Sequence, residues 1–449
     1  MSSIETSAAR EPLGPRFTAL FAATAGSNLA DGILLVAVPL IAMGLTTSPL
    51  QISLLSAATW LPWLLLGLYA GARIDRGDRR RILILSVAVR VVVLAGATAL
   101  ALAGALTLPA LLGLLLVYGA TEVFADTAEG TLIPAVTPRS RLGAANGRLL
   151  GVQQVTNQFV GAPLGGLLAS LGATWVFGVP GLLSAAVIGI VTLRLPGRYR
   201  AGDHRDGRAT GAAEHAEDPA SPTRERLVSQ VGAGLRFLFG HRVLRPLVIT
   251  ASAMNLANSA YFAVFVLWLV GPDSAVGLTG TQYGLLTTTL AAGAVLGSVA
   301  AEHLLKWVTE TRLLAIVYLV NSSLLLVPVL APSGWVIGAA FAVVGCTNVV
   351  GNVITRSMRQ SLIPDRLLGR VSGASATLGY GGMPLGALLG GAVGEAFGLP
   401  AVFVGAVVMC LVFTAYTVYH VRPAAVAAAD AQARAEELAA ETGAVARIT

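Results

Sequence analysis

The stretch GARIDRGDRRR, Gly71–Arg81, gathers seven charges (Arg73, Asp75, Arg76, Asp78, Arg79, Arg80 and Arg81) into nine residues of a chain that is only 12% charged. On either side lie apolar runs, near 50–72 and 82–104, whose one charge is Arg90. Each run is long enough to cross the hydrocarbon core of a bilayer as a helix, for which about 20 residues suffice. The cluster therefore reads as a polar connection between two membrane spans.

Working outward, the same alternation fills the chain. Soluble domains carry about 25% charged residues, whereas here hydrophobic residues make up 55% and the mean hydropathy is +0.75. Apolar runs fall near 17–45, 50–72, 82–104, 108–133, 146–170 and 174–195, then near 245–270, 282–304, 312–330, 334–357, 370–394 and 398–420. Only helices or closed barrels satisfy their backbone inside lipid, and runs of this length are helices. The expected fold is an all-α polytopic membrane protein with twelve transmembrane helices in two six-helix bundles. Its parts are an N-terminal segment 1–16, bundles 17–195 and 245–422, a linker 196–244 and a tail 423–449. Met1–Arg16 is polar, and the first apolar run is too long for a cleaved leader, so it is expected to stay as the first helix.

The connections differ in charge. Those at 46–49, 104–107, 172–174 and 331–334 carry none, 271–282 holds only Asp273, and 394–400 only Glu395. The alternate set holds Arg73–Arg81, Arg139–Arg148, the 196–244 linker, Lys306–Arg312 and Arg356–Arg370. Because basic loops stay on the cytoplasmic side, these loops and both termini are expected inside. In the linker, Arg200–Pro222 is polar. From Arg224 on, Leu227, Val231, Leu235 and Leu238 recur at helical spacing among Arg224, Arg226, Arg236 and Arg242, the pattern of an amphipathic helix on the membrane face. The tail, with Arg434, Glu436 and Glu437, reads as a soluble helix.

The two halves repeat each other. Leu132-Ile133-Pro134 recurs as Leu362-Ile363-Pro364, Leu142-Gly143 as Leu368-Gly369, and Pro163-Leu164-Gly165 as Pro384-Leu385-Gly386, at offsets of 230, 226 and 221. Two six-helix units that open on the same side form a parallel, pseudo-symmetric repeat.

With these features the chain resembles the major facilitator superfamily over nearly all of 15–422. Gly71-x-x-x-Asp75-Arg76-x-x-Arg79-Arg80 is similar to its signature loop. Ser27–Gly32, Thr47-Ser48-Pro49, Arg90 and Ala144–Gly147 are similar to the bacterial drug and siderophore exporter branch, which includes enterobactin-exporter-like and macrolide-efflux-like proteins. The resemblance implies a secondary transporter, an efflux antiporter with a role in antibiotic resistance, moving a small molecule against protons by alternating access. The family's antiporter motif, Gly-Pro-x-x-Gly-Gly, appears as Gly161-Ala162-Pro163-Leu164-Gly165-Gly166, with Pro one place later. A kinked, closely packed fifth span is expected from Pro163 and these glycines, as from Pro384 and Gly386 in the second half.

Charges inside the membrane cost at least about 2.5–3.5 kcal/mol each and mark candidate sites. Glu122, Asp126 and Glu129 share a helix face with Tyr118. At the offset of 230, Tyr118, Glu122, Asp126 and Glu129 map to Asn348, Asn352, Arg356 and Arg359. An inner gate is expected to use Asp126 and Glu129 with Arg356 and Arg359, the alternative being that Glu129 and Arg359 are ordinary helix-end charges. Counting helical rise from the inner ends sets Arg90 level with Asp126, predicting an ion pair between them. Asp31, without a cation at its level, is the first candidate for proton coupling and Glu122 the second. The alternative for Asp31 is a static hydrogen bond to Asn255 or Asn258. Cavity candidates are Asn28, Tyr118, Asn255, Asn258, Tyr261, Asn348 and Asn352. In the charged loop, Asp75 is expected to act as a latch on the N-terminal dipole of the eleventh span, with Arg76 or Arg79 reaching Asp126 or Glu129.

Other classes lack their chemistry. The only lysine, Lys306, precedes Trp307, so no phosphate loop exists. There is no Gly-x-Ser-x-Gly or His-Glu-x-x-His, and the five histidines (His204, His215, His241, His303, His420) are scattered, which argues against an enzyme. Cys346 and Cys410 have no ligand-spaced partner. The net charge of +7 is distributed between apolar runs, as topology rather than nucleic-acid binding requires. No cofactor is called for, the bilayer is the expected surrounding, and a monomer is expected. The competing reading is a transport-inactive sensor or assembly partner that retains the fold.

Overall fold

The computed structural model describes residues 13–200, 232, 234–363, 365–429 and 431. Seven helices precede the linker: α1 Gly14–Met43, α2 Pro49–Arg76, α3 Arg79–Leu102, α4 Leu108–Val136, α5 Leu142–Gln154, α6 Ala162–Leu171 and α7 Ala173–Arg194. Among the described residues the later helices include α8 Leu244–Leu269, α9 Gly280–Trp307, α10 Glu310–Leu324, α11 Val327–Leu330, α12 Gly334–Leu362, α13 Asp365–Phe397 and α14 Leu399–His420. Among the described residues the only extended pairing is one isolated bridge, Val270 with Leu278.

Among the described residues ten helical stretches are long and apolar enough to cross a membrane. The two other expected spans are also helical. One is α13, 33 residues long. The other is α5 and α6, joined by a π-helical turn over Val155–Gly161. That turn sits just before Pro163, which cannot donate a backbone hydrogen bond, so the ladder is rearranged there rather than merely bent. Pro384, the repeat's counterpart, lies inside α13 with no such turn.

Local chemistry explains the boundaries. The Ser48 hydroxyl accepts from Gln51 N at 3.2 Å and Pro49 opens α2, the usual start of a helix. The joint between α6 and α7 is Gly172, at φ 110°, and the equivalent joint between α13 and α14 is Gly398, at φ 82°. Side chains clash in that backbone region, so both repeats place glycine at the same sharp return.

The chain divides into two compact units. One holds α1–α7 with residues 263–291, the C-terminal part of α8 and the first part of α9; the other holds the chain up to 262 in α8 and from 292 onward. In the first unit α1 packs on α5, α6 and α7, α2 on α4, and α3 on both α4 and α7. Lipid supplies no hydrophobic drive between helices, so close packing of small residues must hold them. Gly161 faces the backbone of Gly32 in α1, and a Cβ on Gly165 would sit 2.5 Å from Ile33 O. Residues 263–291 join this unit through the same device, with Gly284 against Ala162 O.

In the second unit α10 packs on α12 and α14, and α13 on α14. Gly386 and Gly390 of α13 lie against the backbone of Leu256 and Ala260 in α8, repeating the first unit's use of Gly161 and Gly165. Helical residues 234–240 place Leu238, fully buried, and Leu235 in this unit's core beside Leu244, Leu247 and Ile354. The earlier part of the expected amphipathic helix, with Arg224, Leu227 and Val231, and the tail residues Arg434, Glu436 and Glu437 lie outside the described residues.

Candidate functional site

Polar side chains in the first unit converge on Arg90. On α1, Thr24, Ser27, Asn28 and Asp31 recur at helical spacing and so share one stripe. Tyr118 and Thr121 supply the facing positions on α4. Arg90 itself is 1% exposed. Its Nη1 lies 3.2 Å from Asp31 Oδ1 and 3.4 Å from Ser27 Oγ, and its Nε donates to Thr121 Oγ1 at 3.2 Å. Tyr118 donates its phenol O–H to Asp31 Oδ1, and the guanidinium stands 4.8 Å from the Tyr118 ring centre. Arg90 Nη2 is buried without a hydrogen-bond partner.

This corrects two expectations. Arg90 pairs with Asp31 rather than with Asp126, and Asp31 is therefore not a carboxylate without a cation. Residue counting measures distance along one helix axis, not the relative depth of two tilted helices, and an arginine side chain covers the difference. Asp126 is instead exposed and borders a small cavity of about 120 Å³ with Glu129, Asn146 and Gln153. Glu122 is half-buried on the same helix, and both Glu122 and Asp126 act on Arg90 through space.

Also between α1 and α4, Thr24 donates its hydroxyl to Glu129 Oε1. Both residues are buried, which removes Glu129 from the class of helix-end charges reaching for headgroups. Asn28 donates to Thr24 O at 3.0 Å, an intrahelical bond rather than a cavity contact.

The charged loop knots the end of this unit. Asp78, 7% exposed, caps α3 by accepting from Arg80 N at 3.1 Å and Arg81 N at 3.3 Å. It also accepts from Tyr199 N at 3.4 Å, and Arg79 N donates to Tyr199 O at 3.1 Å. Arg79 Nη1 donates to Thr131 O at 3.0 Å, not to Asp126 or Glu129 as expected. Arg80 donates to Val191 O at 3.4 Å and Thr192 O at 3.0 Å. Both arginines thus occupy the carbonyl ends of α4 and α7, where the helix dipole favours a cation. Asp75 and Arg76 remain exposed, and Gly71 has open space around it.

A second polar centre lies wholly in the second unit. A cavity of about 520 Å³ is bordered by α8, α10, α12 and α13. Asn255 and Asn258 enter from α8, and Asn348, Asn352, Arg356 and Arg359 from α12, as four of the cavity candidates and two of the gate residues. Asn352 donates to Asn348 Oδ1 at 2.8 Å, and Asn255 to Gly379 O at 3.3 Å. Tyr261 is not in this cavity. It is fully buried, donates to Leu325 O at 3.0 Å and lies 4.7 Å from the Phe403 ring, which makes it a core residue. Tyr118 likewise serves the ion cluster rather than a cavity wall.

Sequence reasoning missed Thr24, Ser27, Thr121, Asn321, Ser375 and Tyr199. Thr24, Ser27 and Thr121 carry a signal in retrospect, since each stands a helical turn from a flagged polar residue (Asn28, Asp31 and Tyr118); Asn321 and Ser375, which border the second unit's cavity, do not. Tyr199 carries none.

Comparison with known proteins now bears on the chain. The sequence pattern of the Major Facilitator Superfamily matches residues 20–387. The chain belongs to that superfamily. It is thus a secondary transporter and a multi-pass membrane protein, not an enzyme. The multidrug efflux pump Tap of Mycobacterium tuberculosis is 27% identical over 406 residues, covering 87% of this chain and 89% of Tap. The enterobactin exporter EntS of Escherichia coli O1:K1 is 26% identical over 394 residues, covering 85% of each. Among solved structures, a bacterial homolog of the human lysosomal transporter Spinster superposes with a TM-score of 0.67 at 16% identity, over 89% of this chain and 95% of that one. The nucleoside transporter NupG superposes with a TM-score of 0.68 at 12% identity, over 89% and 98%. These likenesses carry the all-helical superfamily fold.

Proposed function

We propose that the chain is a proton-driven exporter of a small amphipathic molecule, set in a bacterial inner membrane with its basic loops and both termini cytoplasmic. One observation carries the coupling: the Asp31–Arg90 ion pair is closed over by Tyr118, Ser27 and Thr121 inside the membrane span. A permanent ion pair contributes little stability in such a place, because desolvation offsets the attraction, and intramembrane ionisable groups mark proton or substrate pathways.

Protonation of Asp31 would cancel its charge and release Arg90. The carboxylates of α4, Glu122 and Asp126, are the groups that already act on that guanidinium. Exchange of the proton for cargo then biases the two access states in opposite directions, which is what antiport requires. Export as the direction is supported by the relatives Tap and EntS.

The test is flux in proteoliposomes under an imposed proton gradient. Wild type is expected to move an amphipathic dye with the gradient and to stop when the gradient is collapsed. Flux that ignores the gradient sinks proton coupling, and no flux with any of a broad compound panel sinks the exporter reading.

A further inference from the structure

We infer that the cavity of the second unit is an oxyanion-recognising subsite, so that the cargo is an amphipathic acid (a carboxylate, phosphate or sulfonate) rather than an amphipathic cation. This rests on the exporter reading above and narrows it to a substrate class.

The charge balance of the cavity is one-sided. Arg356 and Arg359 stand one helical turn apart on α12 and both border it, while no Asp or Glu among the described residues does. Neither arginine forms an ion pair among the described residues. Arg359 is half-buried and its Nε has no hydrogen-bond partner among the described residues. The Ser375 hydroxyl, from α13 across the same cavity, is also buried without a partner among the described residues. Charges held inside a membrane protein are paired or face a pathway, and these two lack a pair.

The two guanidinium groups in this lining only donate. Asn352 donates to the Asn348 oxygen, so the Asn348 amide N–H groups remain as further donors, beside the side-chain oxygens of Asn352, Asn255 and Asn321, whose own amide groups donate to Asn348, Gly379 O and Val344 O. Two guanidinium forks, amide N–H groups and a hydroxyl together suit an acceptor with several oxygens, and arginine's planar fork binds such groups through two parallel bonds. Met254 and Met383 border the same space and offer a soft apolar wall to the rest of the molecule. The volume of about 520 Å³ lies in the range of roughly 300–1,000 Å³ typical of small-molecule sites. A cationic cargo would meet two like charges here and no carboxylate among the described lining residues.

The experiment uses the full chain in phosphatidylcholine nanodiscs with four matched probes: 2-naphthoate, its methyl ester, 2-naphthalenesulfonate and naphthylmethylammonium. The two anions are expected to raise the melting temperature, with the ester and the ammonium ineffective. Arg359→Gln is expected to weaken anion binding by about tenfold or more, the scale of one lost charged hydrogen bond. Arg356→Gln and Ser375→Ala are expected to weaken it less, and they serve if the Arg359 variant does not fold. Arg359→Lys should keep the preference for anions with reduced affinity.

Equal binding of naphthoate and its ester, tighter binding of the ammonium, or an unchanged response in all three neutralising variants overturns the assignment. Loss of soluble-anion binding in phosphatidylglycerol discs makes the occupant a lipid headgroup and overturns the cargo class. Proteoliposome flux separates this inference from the reading it rests on. If the anions bind in this pattern but no gradient moves them, the exporter reading fails and the subsite stands. If a gradient moves the ammonium probe and not naphthoate, the subsite fails and the exporter reading stands.

Discussion

Arg90 Nη1 stands 3.2 Å from Asp31 Oδ1, and the two residues come from helices whose sequences are 59 positions apart. Removing one partner leaves the other charge buried and alone, which costs about 3–5 kcal/mol where pairs are deeply buried. Arg90→Gln and Asp31→Asn are each expected to lower the melting temperature of the purified protein clearly. The double variant is expected to regain most of that loss while transport driven by a proton gradient stays absent. Melting in detergent and gradient-driven flux, measured on all three, check this; recovered coupling in the double variant would exclude the pair from proton exchange.

Thr24 is the hydrogen-bond donor recorded for the buried Glu129 carboxyl. Thr24→Val keeps the shape and removes the hydroxyl, and an unsatisfied buried group costs about 1–3 kcal/mol. A drop of that size in unfolding free energy is expected, with Thr24→Ser near wild type. If valine and serine behave alike, the bond contributes nothing.

Asp78 and Asp75 are three residues apart and serve different ends. Asp78 caps α3 and ties Tyr199 to it, so Asp78→Ala is expected to cost about 0.5–2 kcal/mol as a lost helix cap. Asp75 is exposed, so Asp75→Asn is expected to leave stability unchanged and to slow turnover. Surface expression, melting and flux, compared for the two variants, distinguish the roles; equal flux at equal expression would leave Asp75 without one.

Close helix approach predicts opposite responses to the same substitution. Gly165→Ala and Gly386→Ala drive a methyl group into a neighbouring helix backbone and are expected to destabilise by about 1–3 kcal/mol, as overpacking does. Gly189→Ala, in α7 with open space around the glycine, is expected to be neutral or to gain up to about 1 kcal/mol from helix propensity. Thermal denaturation of the three variants decides, and a uniform response would remove the packing argument.

Much of the fold was legible because the bilayer imposes a simple rule on composition. Apolar runs of the necessary length, broken by charged or turn-forming residues, define helices without any knowledge of tertiary contacts. The repeat was legible too, since Pro163 and Pro384, and the glycines beside them, recur where each unit packs two of its helices backbone to backbone. The π turn before Pro163 was not, because the same proline in α13 passes without one, so the local sequence permits both.

The sequence by itself determined which residues are costly to place in a membrane: Asp31, Arg90, Glu122, Asp126, Glu129, Arg356 and Arg359 are conspicuous against their apolar surroundings. Their partners were decided only by tertiary structure. Arg90 joins Asp31 instead of Asp126, Glu129 takes Thr24, Arg79 takes the Thr131 carbonyl, and Tyr261 turns into the core. Burial cost is a property of a residue and its segment, which composition records. A bond depends on the tilt, depth and rotation of two helices packed against each other, and these are set by the whole interface rather than by either sequence segment.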